Sequence, residues 1–192
     1  MKRYIKSAVS AVDSEDSDVK NELASDTKTD AYTLKQLALD DSRFIRRTVA
    51  ENPSTPAEVL KLLVADKYVG VRYAVAKNPN ATAEILSALV TDHDETIRNA
   101  ITLSPNVTDD ILMKLLKNDN KDYDNAFIVA RCDKASPKTL TYLFNYVDHN
   151  DTNTMRRLAR NPNTPIEILQ ELSNFDSTYV SIPAQNRLEK LK

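Results

Sequence analysis

The side chains of this chain that could do chemistry are two histidines, one cysteine and a few hydroxyl residues beside prolines. His93 lies in Asp92-His93-Asp94 and His149 in Asp148-His149-Asn150. An imidazole next to a carboxylate suits proton transfer or metal ligation, but a metal needs several ligands converging on one point. The two histidines sit in well-separated turns, so no shared metal is expected. Cys132 has no histidine beside it in sequence to act as a base, and it reads as a tolerated small residue rather than a thiolate nucleophile. Residues 118–124, NDNKDYD, alternate Asn120, Asp122 and Asp124 as a calcium loop does. The glycine at the sixth place is missing, and Val129 stands where the bidentate glutamate belongs, so a solvated insertion is expected. Thr55-Pro56-Ala57-Glu58 and Thr164-Pro165-Ile166-Glu167 read as capping boxes, with the threonine as cap, proline in the first turn and glutamate reaching back. Ser136-Pro137 reads the same way. None of these hydroxyls is a nucleophile on this reading. With no nucleophile, base or metal set converging, the expectation is a protein that is not an enzyme, with no catalytic residues, metal or cofactor.

What these residues have in common is their place in a repeating pattern. In residues 71–92, VRYAVAKNPNATAEILSALVTD, Val71, Ala74 and Val75 share one helical face. Asn78-Pro79 ends that helix, because the residue before proline is driven out of the α region. A second helix carries Ile85, Leu86 and Leu89 on one face. Pro53, Pro79 and Pro105 recur every 26 residues, and Asn161-Pro162 marks a later copy. Arg131 to Leu140, RCDKASPKTL, aligns without a gap to RNPNTPIEIL from Arg160, with Asp133 in the proline place. The second-helix leucines recur as Leu34/Leu37, Leu60/Leu63, Leu86/Leu89, Leu112/Leu115, Leu140/Leu143 and Leu169/Leu172. A period of this length signals a solenoid. The expected fold is all-α, an α-solenoid of stacked short helix pairs forming one domain over 1–192. Residues 1–18 cap it, 19–186 form the repeats and 187–192 form a tail. The spacing lengthens near Asn118 and Asp148, where the regular stack should be disturbed.

Composition agrees. Of 192 residues one is glycine, Gly70, and none is tryptophan, which removes most phosphate-cradling loops and tight hairpins. The single cysteine permits no internal disulfide, and no apolar run is long enough to span a membrane. The N-terminal MKRYIKSAVSAV has a basic start but too short an apolar segment for a signal peptide, so a cytoplasmic location is expected. The acidic run 13–18, DSEDSD, reads as charge favoured at a helix N-terminus; the alternative is a lure for a basic partner.

A second pattern places aspartate six residues before arginine, as Asp40/Arg46, Asp66/Arg72 and Asp92/Arg98. It ends at Ala126 and Met155. Together with the wording VRxAVAxNPxTPxExLxxL, it resembles two α-solenoid families, the HEAT repeats and, more closely, the leucine-rich repeat variant. The resemblance covers about residues 19–186 and implies an inter-repeat ladder of these aspartates and arginines. Some variant-repeat proteins carry an N-terminal cysteine cluster for an iron–sulfur centre, but no cysteine precedes Cys132 here, which excludes that cofactor. HEAT-like DNA glycosylases work around a flipped base with tryptophans, which this chain lacks.

A surface remains. In each first helix, the positions of Tyr73 and Lys77 form an outward i, i+4 pair. Across the copies the stripe reads Arg47/Glu51, Tyr73/Lys77, Asn99/Leu103, Phe127/Arg131 and Arg156/Arg160. Its basic and aromatic character opposes the formal charge of −2. Lys77, Arg131 and Arg160 also sit where a cation complements a helix dipole, so the stripe is either dipole complementation or a binding surface. The resemblance implies that such residues line the concave side, where partners dock. The expected function is a protein–protein interaction module, an adaptor or inhibitor, using Arg47, Tyr73, Lys77, Asn99, Phe127, Arg131, Arg156 and Arg160. The alternative is binding to a nucleic-acid backbone through the same residues. No membrane and no small-molecule substrate is indicated.

Overall fold

The structure is a computed structural model that describes residues 16–118 and 125–191. Thirteen α-helices and no strands occur among the described residues. In sequence they run as six couples: α1 (Ser17–Ser25) and α2 (Ala31–Leu37), α3 (Arg43–Glu51) and α4 (Ala57–Leu63), α5 (Val69–Lys77) and α6 (Ala83–Ala88), α7 (Glu95–Leu103) and α8 (Asp109–Leu116), α9 (Asn125–Ala130) and α10 (Pro137–Tyr146), and α11 (Thr152–Arg160) and α12 (Ile166–Leu172). A longer helix, α13 (Thr178–Lys190), follows. Neighbouring helices pack in sequence order, as in a helical-repeat solenoid.

By its contacts the chain divides into two compact units, Met1–Asn106 and Val107–Lys192. In the first, α1, α3, α5 and α7 pack side by side, with α2, α4 and α6 as a second layer. In the second, α9 packs on α8 and α11, and α13 covers both α11 and α12. All twelve second-helix leucines are at most 2 % exposed. Each such burial is worth about 1.5–3 kcal/mol. Ala24, Ala50, Ala76, Thr102, Ala130 and Ala159 end the buried face of their first helices, and these small side chains let adjacent first helices approach closely.

The turn asparagines join one repeat to the one before it. Asn52 Nδ2 donates to the carbonyls of Ala24 (2.9 Å) and Asp26 (3.0 Å), and Asn78 Nδ2 to those of Ala50 (2.7 Å) and Asn52 (2.9 Å). In the second unit Asn161 Nδ2 donates to Ala130 (2.9 Å) and Cys132 (2.8 Å). Each Oδ1 accepts a backbone N–H of its own turn, from Ser54, Asn80 or Asn163. Helix-terminal carbonyls that lack an intrahelical donor are thus closed by the next repeat. After the last turn Arg187 of α13 does this, donating to the carbonyls of Asn161 and Pro162.

The aspartate–arginine ladder is present, but its carboxylates pair across repeats. Arg46 grips Asp66 with two bonds, Nε to Oδ2 at 2.6 Å and Nη2 to Oδ1 at 3.0 Å, while Nη1 reaches the backbone carbonyls of Asp40 and Asp41. Arg72 grips Asp92 at 2.6 and 3.1 Å and the Asp66 carbonyl at 2.8 Å. Lys20 opens the series on Asp40 at 2.7 Å. The aspartate six residues back therefore supplies a carbonyl, and the carboxylate comes from the turn that follows. Burial raises the Asp66 carboxyl most, but the Arg46 hydrogen bond, the Tyr68 backbone N–H and nearby cations outweigh it and leave its pKa below the ordinary carboxylate value. Asp92 behaves alike through Arg72.

Two of the expected capping boxes are not formed. α4 and α12 begin one residue later, with Pro56 and Pro165 in the cap position and no side-chain cap bond. Thr55 and Thr164 lie just outside, are buried, and donate their hydroxyls to the carbonyls of Val49 (2.6 Å) and Leu158 (2.7 Å). Ser136 does cap α10, accepting from the Thr139 N–H at 3.2 Å. The extra residues before Asp148 extend α10 to ten residues, against seven in α4 and α12. The expected cap over 1–12 and the calcium-like residues of 119–124 lie outside the described residues, as does the first half of the acidic run 13–18. In its second half Asp16 caps α1, accepting from the Asp18 N–H at 2.9 Å.

One buried polar atom lacks a partner among the described residues: the Thr154 hydroxyl, on the core face of α11. Replacing it with the isosteric valine removes an unsatisfied group without opening a cavity, so Thr154→Val is expected to stabilise the protein by about 1 kcal/mol. Urea titration of both proteins checks this; a destabilised variant contradicts it.

Candidate functional site

The first-helix surface of each unit holds half of the expected stripe. In the first unit Arg47 is exposed and bonds Glu51 one turn along, Nε to Oε1 at 2.7 Å. Tyr73 is 40 % exposed, Lys77 is exposed, and Leu103 at the next copy is 56 % exposed. Asn99 is half-buried. The repeat dictates this: Val71, Ala74 and Val75 enter the core, which leaves positions 73 and 77 outward.

The second unit gathers its half more tightly. Phe127 of α9 is half-buried, and the guanidinium of Arg157 lies 5.1 Å from its ring centre, a cation–π contact. Burial foremost, and then the charges of Arg156, Arg131 and Arg160, weaken the hold of Arg157 on its proton. Arg157 thus lies over Phe127 within the field of three other arginines. No carboxylate pairs with Arg156, Arg157 or Arg160 among the described residues. The structure sets Arg157, which the sequence reading missed, over Phe127, with Arg131, Arg156 and Arg160 near enough for their charges to act on Arg157. Its signal was available, because Arg157 occupies the place held by Ala74 and Ala100, where a long cation has no packing role.

Two of the residues with chemical potential, His149 and Cys132, are packed against their surroundings. His149 lies against Phe144 and Phe175, at 4.6 and 6.3 Å between ring centres, with Nε2 3.0 Å from the Phe144 carbonyl. Cys132 is buried, and burial pushes its thiol pKa up, away from the reactive thiolate. Among the described residues no three of His, Cys, Asp and Glu converge as a metal site. No described helix is long and apolar enough to cross a membrane.

Residues 43–67, which hold α3 and α4, match the family model of the leucine rich repeat variant. The repeated helix pairs on either side are consistent with HEAT-like repeats. The chain matches no curated protein and no solved structure.

Proposed function

We propose that the protein is a non-enzymatic binding module, an adaptor or inhibitor, that holds an acidic partner protein against its first-helix surfaces. The observation that carries this reading is the arginine set of α11, Arg156, Arg157 and Arg160, with Arg157 over Phe127. Like charges held together without carboxylates oppose folding, and an acidic partner reverses the sign of that interaction. Helical repeat modules of the matched type commonly mediate protein interaction, and their stacked surfaces suit it. In the first unit Tyr73 supplies an aromatic anchor, with Arg47 and Lys77 beside it. A cytoplasmic location belongs to this reading.

The experiment is capture of interacting proteins from lysate, with and without nuclease, by the native chain, by Arg156→Glu with Arg160→Glu, and by Tyr73→Ala with Lys77→Glu. The arginine reversal is expected to weaken capture by about tenfold or more while leaving Tm unchanged or slightly raised, because it relieves repulsion on Arg157. The Tyr73/Lys77 variant is expected to keep its Tm and also to bind more weakly. Capture unchanged in both variants would reduce the stripe to helix-dipole complementation.

The same cluster favours a second reading, since arginine forks and an aromatic ring also suit a nucleic-acid backbone. The sequence pI near 5.8 opposes it. Binding to mixed duplex and single strands should then fall steeply with salt as counterions are released, and no binding at low salt removes this reading.

A further inference from the structure

Away from the second-unit arginines, the first unit contains a cleft of about 230 Å³ between the starts of α3 and α5, lined by Arg43, Phe44, Arg47, Tyr68, Val69, Gly70 and Val71. The guanidinium of Arg43 stands 5.0 Å from the ring centres of both Phe44 and Tyr68. It makes no ion pair among the described residues. Arg47 uses only Nε on Glu51, which leaves its terminal nitrogens free to donate. Lys67 adds positive charge near Tyr68, 5.3 Å from its ring centre, whereas Arg46, 5.6 Å from that ring, is paired with Asp66. The walls are apolar and open, with Phe44 64 % and Val69 42 % exposed.

Gly70 completes the case. It is the only glycine in the chain and sits inside helix α5, where alanine is the more favourable residue. No glycine has a positive φ, and a β-carbon there would meet only Arg47 Cδ, at an ordinary 3.8 Å. Neither backbone conformation nor packing requires a glycine. What its missing side chain does is keep the cleft floor open.

We infer that this cleft binds an anionic group beside an aromatic ring on a partner protein, either the terminal carboxylate of a C-terminal aromatic residue or the phosphate of a phosphorylated tyrosine. The anion meets the free donors of Arg43 and Arg47, and the ring lies against Phe44, Tyr68 and Val69 above Gly70. The two arginines provide forks that match either anion, and the volume admits one side chain rather than an extended ligand. The inference does not depend on the arginine cluster of the second unit.

The test titrates the full chain by calorimetry with N-acetylphenylalanine, phenyl phosphate, N-acetylphenylalanine amide, acetate and inorganic phosphate. The two aromatic anions are expected to bind at least about tenfold more tightly than the neutral amide or the bare ions. Whichever aromatic anion is tighter identifies the source as a C-terminal aromatic residue or a phosphorylated tyrosine. Arg43→Gln should weaken that anion by about tenfold, and Gly70→Leu should abolish its binding by filling the floor. Gly70→Ala should raise Tm by a few degrees, showing that the helix accepts a side chain there. Arg156→Glu with Arg160→Glu should leave this binding unchanged, which separates the cleft from the second-unit surface. The inference is overturned if neither aromatic anion binds saturably, if they bind no better than the amide, or if Gly70→Leu binds as the native chain does.

Discussion

Asn78→Ala is expected to destabilise the protein by about 3–5 kcal/mol, a large part of the 5–15 kcal/mol typical of a folded domain. The side chain is 2 % exposed and makes three hydrogen bonds: two from Nδ2 to the carbonyls of Ala50 and Asn52, and one from the Asn80 N–H to Oδ1. Truncation leaves the Ala50 carbonyl and the Asn80 N–H without partners where water has little access, and leaves the Asn52 carbonyl with only its bond from the Thr55 N–H; each orphaned group costs about 1–3 kcal/mol. The comparison is Asn80→Ala, which also removes two bonds, to the carbonyls of Pro53 and Thr55, but at an exposed edge that water can reach. About 1 kcal/mol is expected there. Urea denaturation of the two variants is decisive: equal effects would mean that burial of these turns is not what gives the asparagines their strength.

Arg72→Met should lower stability by about 2–4 kcal/mol, because it strands a charged group as well as removing bonds. Asp92 has a side chain only 6 % exposed and loses both bonds to the guanidinium, and the Asp66 carbonyl loses its donor. Acid provides a second readout. The pKa of Asp92 is lowered in the folded chain, so its stabilising contribution is complete above the unfolded value near 4. It disappears as pH falls through the lower folded value. Asp40 and Asp66 follow the same sign, so the native protein should lose stability steeply below about pH 4. The Arg72→Met variant, with one contribution already gone, should lose less over that interval. A variant whose stability falls in parallel with the native chain would show that Asp92 does not depend on Arg72.

The core was legible because burial in a solenoid repeats with the sequence. Leu60 and Leu63 predict Leu86 and Leu89, and all four are buried. Pairing was less legible for the same reason. An aspartate six residues before Arg72 and one twenty residues after it occupy equivalent places, one period of 26 apart, so spacing alone cannot choose between Asp66 and Asp92. Only the geometry shows that the first gives a carbonyl and the second a carboxylate. The caps failed by one residue: Thr55 looks like a cap because proline favours the first helical position, yet Pro56 itself takes the cap position. At the candidate surfaces, the outward places of Tyr73 and Lys77 follow from helical period. Arg43, Phe44, Tyr68 and Gly70 do not, since they meet across neighbouring repeats at places where the copies differ.

The asparagines and the basic residues of the first unit point in opposite directions along the chain. Asn52 and Asn78 reach back to the preceding repeat, whereas Lys20, Arg46 and Arg72 reach forward to the turn that follows. Each repeat thus has the character of a unit cell, giving one bond set to each neighbour and taking one from each. A whole 26-residue cell can be excised or duplicated inside the row and every donor still meets an acceptor of the same kind, while a cut of any other length puts both sets out of phase at once. Gene duplication in steps of one cell therefore meets no structural barrier, and this lattice-like exchange makes length a variable that evolution can change without redesigning the interior.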